Sequence, residues 1–295
     1  MDKLLQIGTK IGQYQIDKIP YFVKREDLAC PSPGPPFAKV RGLYPYLLNL
    51  KNNGTTVVGY MDTAISMAGW GVSYFAERLG MQAVLFYPQY KDGHKFNQKY
   101  YIRKWEKFNA IIIPLEHPTQ HQININRAKK YFKSVYPEGV WLPNGLKFEE
   151  TIQGVAQESY SAMQKIQPSS IICSVGSGVM LAGVLLGIYH AKCKIKQIIG
   201  VLAHREMNIA KKMGDVLCMG DFEQDKHRKL FTISPTITNI TDNIQIVSSE
   251  YLYHEQAQTR APFPCNPYYD LKAFEYLQKN ITKLAKPILF WNIGG

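Results

Sequence analysis

Cysteine is scarce in this sequence, and the few cysteines are far apart. The 295 residues contain five, and no two of them form a Cys-x-x-Cys pair. An odd number at wide spacing argues against a disulfide framework, and the missing pair argues against a zinc site. The two closest histidines, His117 and His121, flank Pro118 in a polar segment that is typical of a surface loop. We therefore expect no bound metal.

Long apolar runs are missing as well. No stretch approaches the roughly 18 consecutive apolar residues that a membrane span requires. The first 20 residues lack the apolar core and small-residue cleavage site of a signal peptide. With 45% hydrophobic and 20% charged residues, the composition is that of an ordinary globular protein, long enough for one large or two modest domains. We expect a cytoplasmic protein with no membrane partner.

Acidic residues are outnumbered by basic ones, 23 to 35, which gives a net charge of +12. A surplus of this size can attract a polyanion such as DNA. Four cations follow each other at four-residue spacing on one predicted helix: Lys95, Lys99, Arg103 and Lys107. A second group lies in the next predicted helix: Arg127, Lys129, Lys130 and Lys133. Two interpretations remain open, a surface that contacts a phosphate backbone and a pair of solvated helix faces.

Apolar and β-branched runs alternate with stretches of helical periodicity along most of the chain. The runs predict strands at 55–60, 82–88, 110–115, 169–175 and 196–203. The periodic stretches predict helices that include 66–81, 94–108, 148–166 and 271–284. Such alternation is typical of an α/β fold with open parallel sheets and right-handed crossovers. We expect a small α/β domain at 41–146 and a larger domain formed by 1–40 plus 147–295.

A glycine-rich segment, Ser174–Gly183, follows one of these strands and opens a helix. The backbone N–H groups of such a turn converge on an anion, and glycine allows a phosphate to approach because it has no Cβ. The segment is neither a Walker motif nor a regular GxGxxG fingerprint. A tight turn without any ligand is the alternative interpretation.

Two further segments carry residues suited to chemistry. Lys39 follows a Pro-rich loop at 30–36, and a lysine held in a desolvated pocket loses its proton more easily and attacks an aldehyde. The alternative is a solvated lysine. The second segment, Asp62–Gly71, places small and hydroxylic residues ahead of a helix, where a substrate carboxylate could bind. The alternative there is ordinary helix capping by Asp62, Thr63 or Ser66.

Taken in order, these segments resemble the tryptophan-synthase-β-like (fold type II) family of pyridoxal-phosphate-dependent enzymes, above all 1-aminocyclopropane-1-carboxylate deaminase and D-cysteine desulfhydrase. The segments that carry the resemblance are VKREDL (23–28), KVRGL (39–43), LGM (79–81), the glycine turn at 176–183, PYYDLKAF (267–274) and LFWNIGG (289–295). The resemblance implies two open parallel-sheet α/β domains, the larger of which binds pyridoxal 5'-phosphate, and it suggests a homodimer. Lys39 is implied as the lysine that forms an imine with the cofactor.

The same resemblance assigns roles residue by residue. The residues implied to be catalytic are Lys39, Ser66, Tyr268 and Tyr269. Those implied to bind the cofactor are Lys39, Arg41, Met67, Gly176, Ser177, Gly178 and Asn292. Ser66 is implied to lie near the substrate carboxylate, Tyr268 and Lys272 match the family's C-terminal motif, and Tyr268 or Tyr269 is expected near the ring.

Three segments depart from the family pattern. Met67 replaces an asparagine that binds the cofactor's phenolic oxygen. Val179 and Met180 replace a Gly-Thr pair in the phosphate loop. Asn292 and the following isoleucine replace the family's frequent His-Thr, so the ring nitrogen has no obvious partner in the sequence.

Three functional hypotheses follow. The first is elimination or deamination of a small amino acid, with the released amine of Lys39 as the base at Cα. The second is an enzyme that acts on an amino-acid-modified base in DNA, by decarboxylation or elimination, as in the hypermodification of thymine by phages. The third, prompted by the departures, is a catalytically inactive binding protein that has kept the fold.

Overall fold

The computed structural model describes residues 4–63, 65–90, 102–116, 118, 120–204 and 243–295. The chain divides into two compact units. The first unit consists of Met1–Pro31, Pro36–Arg41 and Glu149–Gly295. The second consists of Ser32–Pro35 and Gly42–Phe148. Within the described ranges, no helix is both long and apolar enough to cross a membrane.

The described elements alternate between strands and helices. The strands are β1 (Ile11–Ile16), β2 (Ile19–Arg25), β3 (Val57–Met61), β4 (Gln82–Pro88), β5 (Ala110–Leu115), β6 (Val140–Trp141), β7 (Ser170–Val175), β8 (Gln197–Leu202), β9 (Ile244–Val247) and β10 (Ile288–Asn292). The α-helices are α1 (Val40–Asn52), α2 (Ala68–Arg78), α3 (Ile102–Trp105), α4 (His121–Val135), α5 (Glu149–Ile166), α6 (Val179–Ala191) and α7 (Asp270–Asn280).

The first unit contains a six-stranded sheet in the order β1-β2-β10-β7-β8-β9. Only the β1–β2 pair is antiparallel, and the remaining neighbours are parallel. Successive side chains of β7 point to opposite faces, as the pleat requires. Ile171 and Cys173 join the core cluster that includes α5 and α6, whereas Ile172 joins the cluster that includes α7. Helices therefore cover both faces, which explains why the strand reads as a continuous apolar run.

The second unit contains a four-stranded parallel sheet in the order β5-β4-β3-β6. Its core includes Phe86, Phe132 and Trp141. The ring centroid of Trp141 lies 5.7 Å from that of Phe86 and 5.6 Å from that of Phe132. Two parallel-sheet α/β units confirm the predicted fold class. Of the helix predicted at 94–108, the structure describes only α3, because residues 91–101 lie outside the described ranges.

The β1–β2 hairpin was not predicted from the sequence. Its turn residues, Asp17 and Lys18, both have positive φ angles of 50° and 65°, the conformation of a two-residue hairpin turn that matches the strand twist. Neither residue is the glycine that normally marks such a turn. The hairpin is important because β2 also pairs in parallel with β10, and it therefore connects the first and last strands of the chain.

Candidate active site

Lys39 lies immediately before α1 and is partly buried. Its Nζ atom is 3.3 Å from the Oγ atom of Ser177, a residue of the glycine turn that lies 138 positions later in the chain. The structure thus brings together the lysine and the glycine turn that the sequence analysis identified separately. This contact is the centre of the candidate site.

The backbone ahead of Lys39 is paired with the end of the chain. The N–H of Ala38 donates to the carbonyl of Ile293 at 2.9 Å, and the N–H of Gly295 donates to the carbonyl of Pro36 at 3.1 Å. Between these two bonds, Phe37 forms an isolated antiparallel bridge with Gly294. The C-terminal LFWNIGG segment is therefore hydrogen-bonded to residues 36–38, directly ahead of Lys39. Two separate sequence motifs could not reveal this pairing.

The glycine turn at 176–178 connects β7 to α6, whose first N–H groups have no acceptor within the helix and no side-chain cap. Gly178 caps the helix with a φ angle of +92°, which strains any residue that carries a Cβ. Met180 and its neighbour Val179 are buried in the core on the helix side of the turn. The Gly-Thr replacement therefore removes a hydroxyl donor, but it leaves the backbone N–H groups and the Ser177 hydroxyl as possible anion ligands.

The structure distinguishes the two tyrosines that the sequence analysis left as alternatives. Tyr268 is 1% exposed, and its hydroxyl accepts a hydrogen bond from Gln256 at 2.7 Å. The ring of Tyr269 lies 3.4 Å from the point where a Cβ on Gly176 would stand, and its hydroxyl is 2.8 Å from that of Tyr253. Tyr269 is thus the tyrosine beside the turn. Tyr253 was not predicted, since no motif surrounds it.

Asp270 is the residue of greatest chemical interest that sequence reasoning missed. It is the first residue of α7 and is fully buried. One carboxyl oxygen accepts a hydrogen bond from the N–H of Ile293 at 2.9 Å, whereas Oδ2 has no partner among the described residues. Burial raises the pKa of this carboxyl well above its ordinary value, and the nearby charge of Asp27 raises it further. Because Ile293 also contacts Ala38, the carboxyl lies close to the segment that carries Lys39.

The side chains of Asn292 and Lys272 form hydrogen bonds inside the first unit. The side-chain nitrogen of Asn292 donates to Asp27 at 3.0 Å and to the carbonyl of Pro264 at 2.9 Å, and its Oδ1 atom is buried without a partner among the described residues. The amine of Lys272 donates to the carbonyls of Ala203 and Leu252. Burial lowers the pKa of Lys272 to about 8. The cofactor-binding role of Asn292 stays a prediction.

The guanidinium of Arg41 points to buried carboxylates. It lies 2.6 Å from Glu26 and 3.1 Å from Glu158, and it donates to the carbonyl of Gln6 at 3.0 Å. These contacts engage all three of its nitrogen atoms. A direct cofactor-binding role for Arg41 remains a prediction, and these contacts instead connect its guanidinium to buried carboxylates of the first unit.

Ser66 and Asp62, which belong to the second unit, cap helix α2. The hydroxyl of Ser66 accepts a hydrogen bond from the N–H of Ala68 at 3.0 Å, and a carboxyl oxygen of Asp62 accepts one from the N–H of Gly69. Met67, at the position before the helix, is 7% exposed and provides no side-chain cap. The capping alternative is thus observed, while the roles of Ser66 in catalysis and of Met67 in cofactor binding stay predictions.

The basic residues that the sequence analysis grouped are only partly covered by the structure. Lys95, Lys99 and the side chain of Arg103 lie outside the described residues, whereas Lys107 is exposed. On α4, Arg127 donates to the carbonyl of Glu116, and Lys133 donates to that of Gly139. Two cations of the second group therefore also stabilise local backbone. A nucleic-acid surface on these residues stays a prediction.

Comparison with known proteins gives a consistent result. A family model described as "Pyridoxal-phosphate dependent enzyme" matches residues 9–247. A glycyl-dTMP PLP-dependent decarboxylase of Pseudomonas phage M6 is 34% identical over 293 residues, which cover 97% of this chain and 98% of that protein.

Solved structures agree on the fold. The crystal structure of an ACC deaminase homologue superposes with a TM-score of 0.73 at 17% identity, covering 99% of this chain and 90% of the other. A fungal L-serine ammonia-lyase from Rhizomucor miehei gives a TM-score of 0.62 at 18% identity, covering 99% and 94%. At these identities the two structures indicate a shared fold and do not identify the reaction.

Proposed function

The chain belongs to the family of pyridoxal-phosphate-dependent enzymes, and on that premise we propose that it decarboxylates an amino acid group carried on a thymidine nucleotide. The observation that carries this proposal is the 34% identity, across nearly the whole of both chains, with a decarboxylase named for glycyl-dTMP. This identity favours the hypothesis of an enzyme that acts on an amino-acid-modified base over deamination of a small amino acid.

The residues of the first unit fit the cofactor. Lys39 supplies the amine that would hold its aldehyde, and the N–H groups of the turn at 176–178 suit its phosphate. The buried Oδ2 atom of Asp270, which has no partner among the described residues, suits a protonated ring nitrogen. When bound, pyridoxal phosphate supplies an electron sink for the pair released when a bond at Cα breaks.

The protein's own groups would then manage charge and protons around that sink. With the cofactor bound, the Asp270 carboxyl would keep the ring nitrogen protonated and so strengthen the sink, and the ring nitrogen would be a partner for Oδ2, which has none among the described residues. Loss of carbon dioxide leaves Cα in need of one proton. Lys39, whose Nζ atom lies 3.3 Å from the Ser177 hydroxyl, is the group we assign to deliver it. The N–H groups of the turn would hold the phosphate of the cofactor and so restrict the orientation of its ring.

The decisive experiment compares two substrate classes. The cofactor-loaded protein is incubated with glycyl-dTMP and, in parallel, with D-cysteine, L-serine and 1-aminocyclopropane-1-carboxylate. Mass spectrometry should show that the nucleotide loses one carbon dioxide and keeps its amine. Release of ammonia from a small amino acid, with the nucleotide unchanged, would instead establish the deaminase hypothesis. Neither reaction, in a protein that remains colourless with added cofactor, would favour the inactive binding protein.

DNA is the carrier that we expect for the modified thymidine. The net charge of +12 favours a polyanion, since each phosphate contacted releases condensed counterions. The same modified thymidine should react faster within a duplex than as a free nucleotide, and the advantage should fall by about tenfold or more between 50 and 200 mM salt. Rates measured on both substrates across this salt range test the expectation. Equal rates at low salt would show that the free nucleotide is the substrate.

Replacing Gly178 with alanine should weaken cofactor binding. The φ angle of +92° imposes a backbone strain of about 1–2 kcal/mol on alanine, and relief of that strain would reorient the N–H groups of the turn. A titration of pyridoxal phosphate monitored by absorbance, together with thermal unfolding, measures both effects. Gly54 offers a matched control, because its φ angle is +86° and nothing lies within 4 Å of its Cβ position. Gly54→Ala should lower the stability of the protein by a similar amount to Gly178→Ala, and its affinity for pyridoxal phosphate should be unchanged.

Asp270 should give the cofactor-free protein an unusual dependence on pH. Burial raises the pKa of this carboxyl in the folded state above its value in the unfolded chain. The group therefore favours folding at low pH, and stability falls by about 1.4 kcal/mol per pH unit as the pH rises through the interval between the two pKa values. Asp270→Asn should remove this component. Denaturant unfolding of both proteins across the acidic range gives the difference, and parallel stability curves would contradict the prediction.

A further inference from the structure

Four charged side chains form a buried ion-pair cluster in the first unit: Lys24, Glu26, Arg41 and Glu158. Each of these side chains is at most 5% exposed. Glu158 contacts both cations, with one oxygen paired to Lys24 and the other 3.1 Å from Arg41. Glu26 also faces both, at 3.5 Å from Lys24 and 2.6 Å from Arg41. The ion-pair cluster is thus closed, with two positive and two negative charges.

The N-terminal segment crosses the ion-pair cluster and satisfies its remaining hydrogen bonds. The N–H of Gly8 donates to Glu158 at 2.7 Å, and the carbonyl of Thr9 accepts from Lys24 at 2.9 Å. The hydroxyl of Thr9 also donates to Glu26. A charged group buried with this number of partners has one defined geometry, because any displacement leaves a polar atom unsatisfied.

Stability alone does not account for such an arrangement. Removing four charges from water costs about as much as their mutual attraction returns, and well-packed apolar side chains of similar volume often give an equally stable or more stable fold. What the charged side chains provide instead is a fixed geometry. An apolar contact tolerates sliding, whereas a two-pronged guanidinium–carboxylate contact fixes both distance and orientation.

The geometry that the ion-pair cluster fixes is that of the segment carrying Lys39. Arg41 follows Lys39 by two positions, and its Cβ lies 2.9 Å from the point where a Cβ on Gly154 of α5 would stand. On the other side of Lys39, Ala38 is bonded to the last residues of the chain. Lys39 therefore lies between two anchored neighbours, with its own side chain directed at Ser177.

We propose that the buried ion-pair cluster is a positioning device, with Arg41 as its principal positioning residue, and that it sets the distance between the Lys39 amine and the glycine turn. This inference rests on the role proposed for Lys39. It assigns a function to Arg41 that does not require contact with the cofactor. The predicted consequence is that replacing the whole ion-pair cluster with apolar side chains weakens cofactor capture and has little influence on whether the protein folds.

The test replaces the ion-pair cluster as a whole, with Lys24→Met, Glu26→Leu, Arg41→Met and Glu158→Leu combined in one variant. We expect its cofactor-free form to unfold within a few degrees of the wild type. Its affinity for pyridoxal phosphate, from the absorbance of the lysine-bound cofactor, should be weaker by about 10- to 100-fold, as expected from a displacement of about 1 Å. A variant that binds the cofactor like the wild type would overturn the proposal.

A second variant covers the case in which the fourfold replacement does not fold. Arg41→Lys keeps the positive charge and removes the two-pronged contact with Glu26, so it should bind the cofactor at least about threefold more weakly. Unchanged affinity in Arg41→Lys would likewise overturn the proposal. The control variant removes the ion pair between Glu275 and Lys279, in which the lysine side chain is 59% exposed. Its affinity for pyridoxal phosphate should be unchanged.

The outcomes separate this inference from the proposed function. If the wild type shows no lysine-bound cofactor, the role of Lys39 fails and the inference fails with it. If the wild type and the Glu275/Lys279 control bind the cofactor, and the variants of the ion-pair cluster bind it equally well, only the positioning role is lost.

Discussion

Lys39→Ala is expected to abolish the absorbance band of the lysine-bound cofactor, at about 410–430 nm, and to lower activity by roughly 10³-fold or more. Both effects have the same cause, because the Nζ atom that would hold the cofactor is also the group we assign to deliver the proton. That atom lies 3.3 Å from Ser177 at the glycine turn. Absorbance spectra and single-turnover rates of the two proteins measure the two effects separately.

An exposed lysine of the same unit provides the control. Lys165 lies in the last turn of α5 and is exposed, so Lys165→Ala should keep both the band and the activity. Borohydride reduction followed by peptide mass mapping should locate the cofactor on the peptide that contains Lys39. A band that persists in Lys39→Ala, or a label on another lysine, would show that the assignment of Lys39 is wrong.

Glu158→Gln is expected to produce the largest loss of stability, about 3–5 kcal/mol, because it leaves Lys24 and Arg41 buried with too little negative charge. Burial by itself raises the pKa of Glu158, but Lys24, Arg41 and the N–H of Gly8 outweigh this effect and lower it overall. A lowered pKa means that the carboxylate favours folding above its unfolded pKa. That contribution is lost as the pH falls through the folded pKa.

Denaturant unfolding at neutral and acidic pH tests both parts of this prediction. The difference between the wild type and Glu158→Gln should be largest at neutral pH and should shrink as the pH falls. Glu250, which is 91% exposed and 3.9 Å from Lys279, is the matched control, and Glu250→Gln should change stability by less than about 1 kcal/mol. A loss at Glu158 as small as that at Glu250 would mean that the buried Lys24 and Arg41 do not depend on Glu158 for compensation of their charge.

The two predictions concern one structural problem, which is how the protein keeps a reactive amine in a defined place. Lys39 is partly buried and lies outside the regular helix, where a long side chain has many rotamers. Its surroundings restrict that freedom through backbone pairing on one side and buried charges on the other. The activity of this chain would then depend on residues that never touch its substrate.

The departures from the family pattern also have a structural interpretation. Met180 and Val179 pack into the core, so the phosphate site can still rely on backbone N–H groups. Asn292 is engaged with Asp27, while the buried carboxyl of Asp270 is the acidic group that we propose as the partner of the ring nitrogen. These observations support a competent cofactor site and weaken the hypothesis of an inactive binding protein.

Local patterns were sufficient to predict the fold class and to indicate the glycine turn of the contact between Lys39 and Ser177. Strand β7 is apolar over its whole length because both of its faces are covered, and the turn after it is rich in glycine because the backbone there takes a positive φ angle. Signals of this kind lie within about ten residues of sequence. They predicted the α/β fold, which is confirmed, and they indicated the turn at 176–178 as a possible anion site, whereas Lys39 was assigned through the family resemblance.

Long-range pairing was decided only in the tertiary structure. Asp270 gave no signal because a single aspartate at a helix start reads as an ordinary capping residue, and only the fold buries it against Ile293. The ion-pair cluster joins Lys24, on β2, to Glu158, 134 positions later, and each member alone reads as a solvated charge. Periodicity records which face of an element is buried. Which buried groups meet is determined by the order in which the strands pair, and in this protein that order places β2, near the start of the chain, beside β10, the last of the described strands.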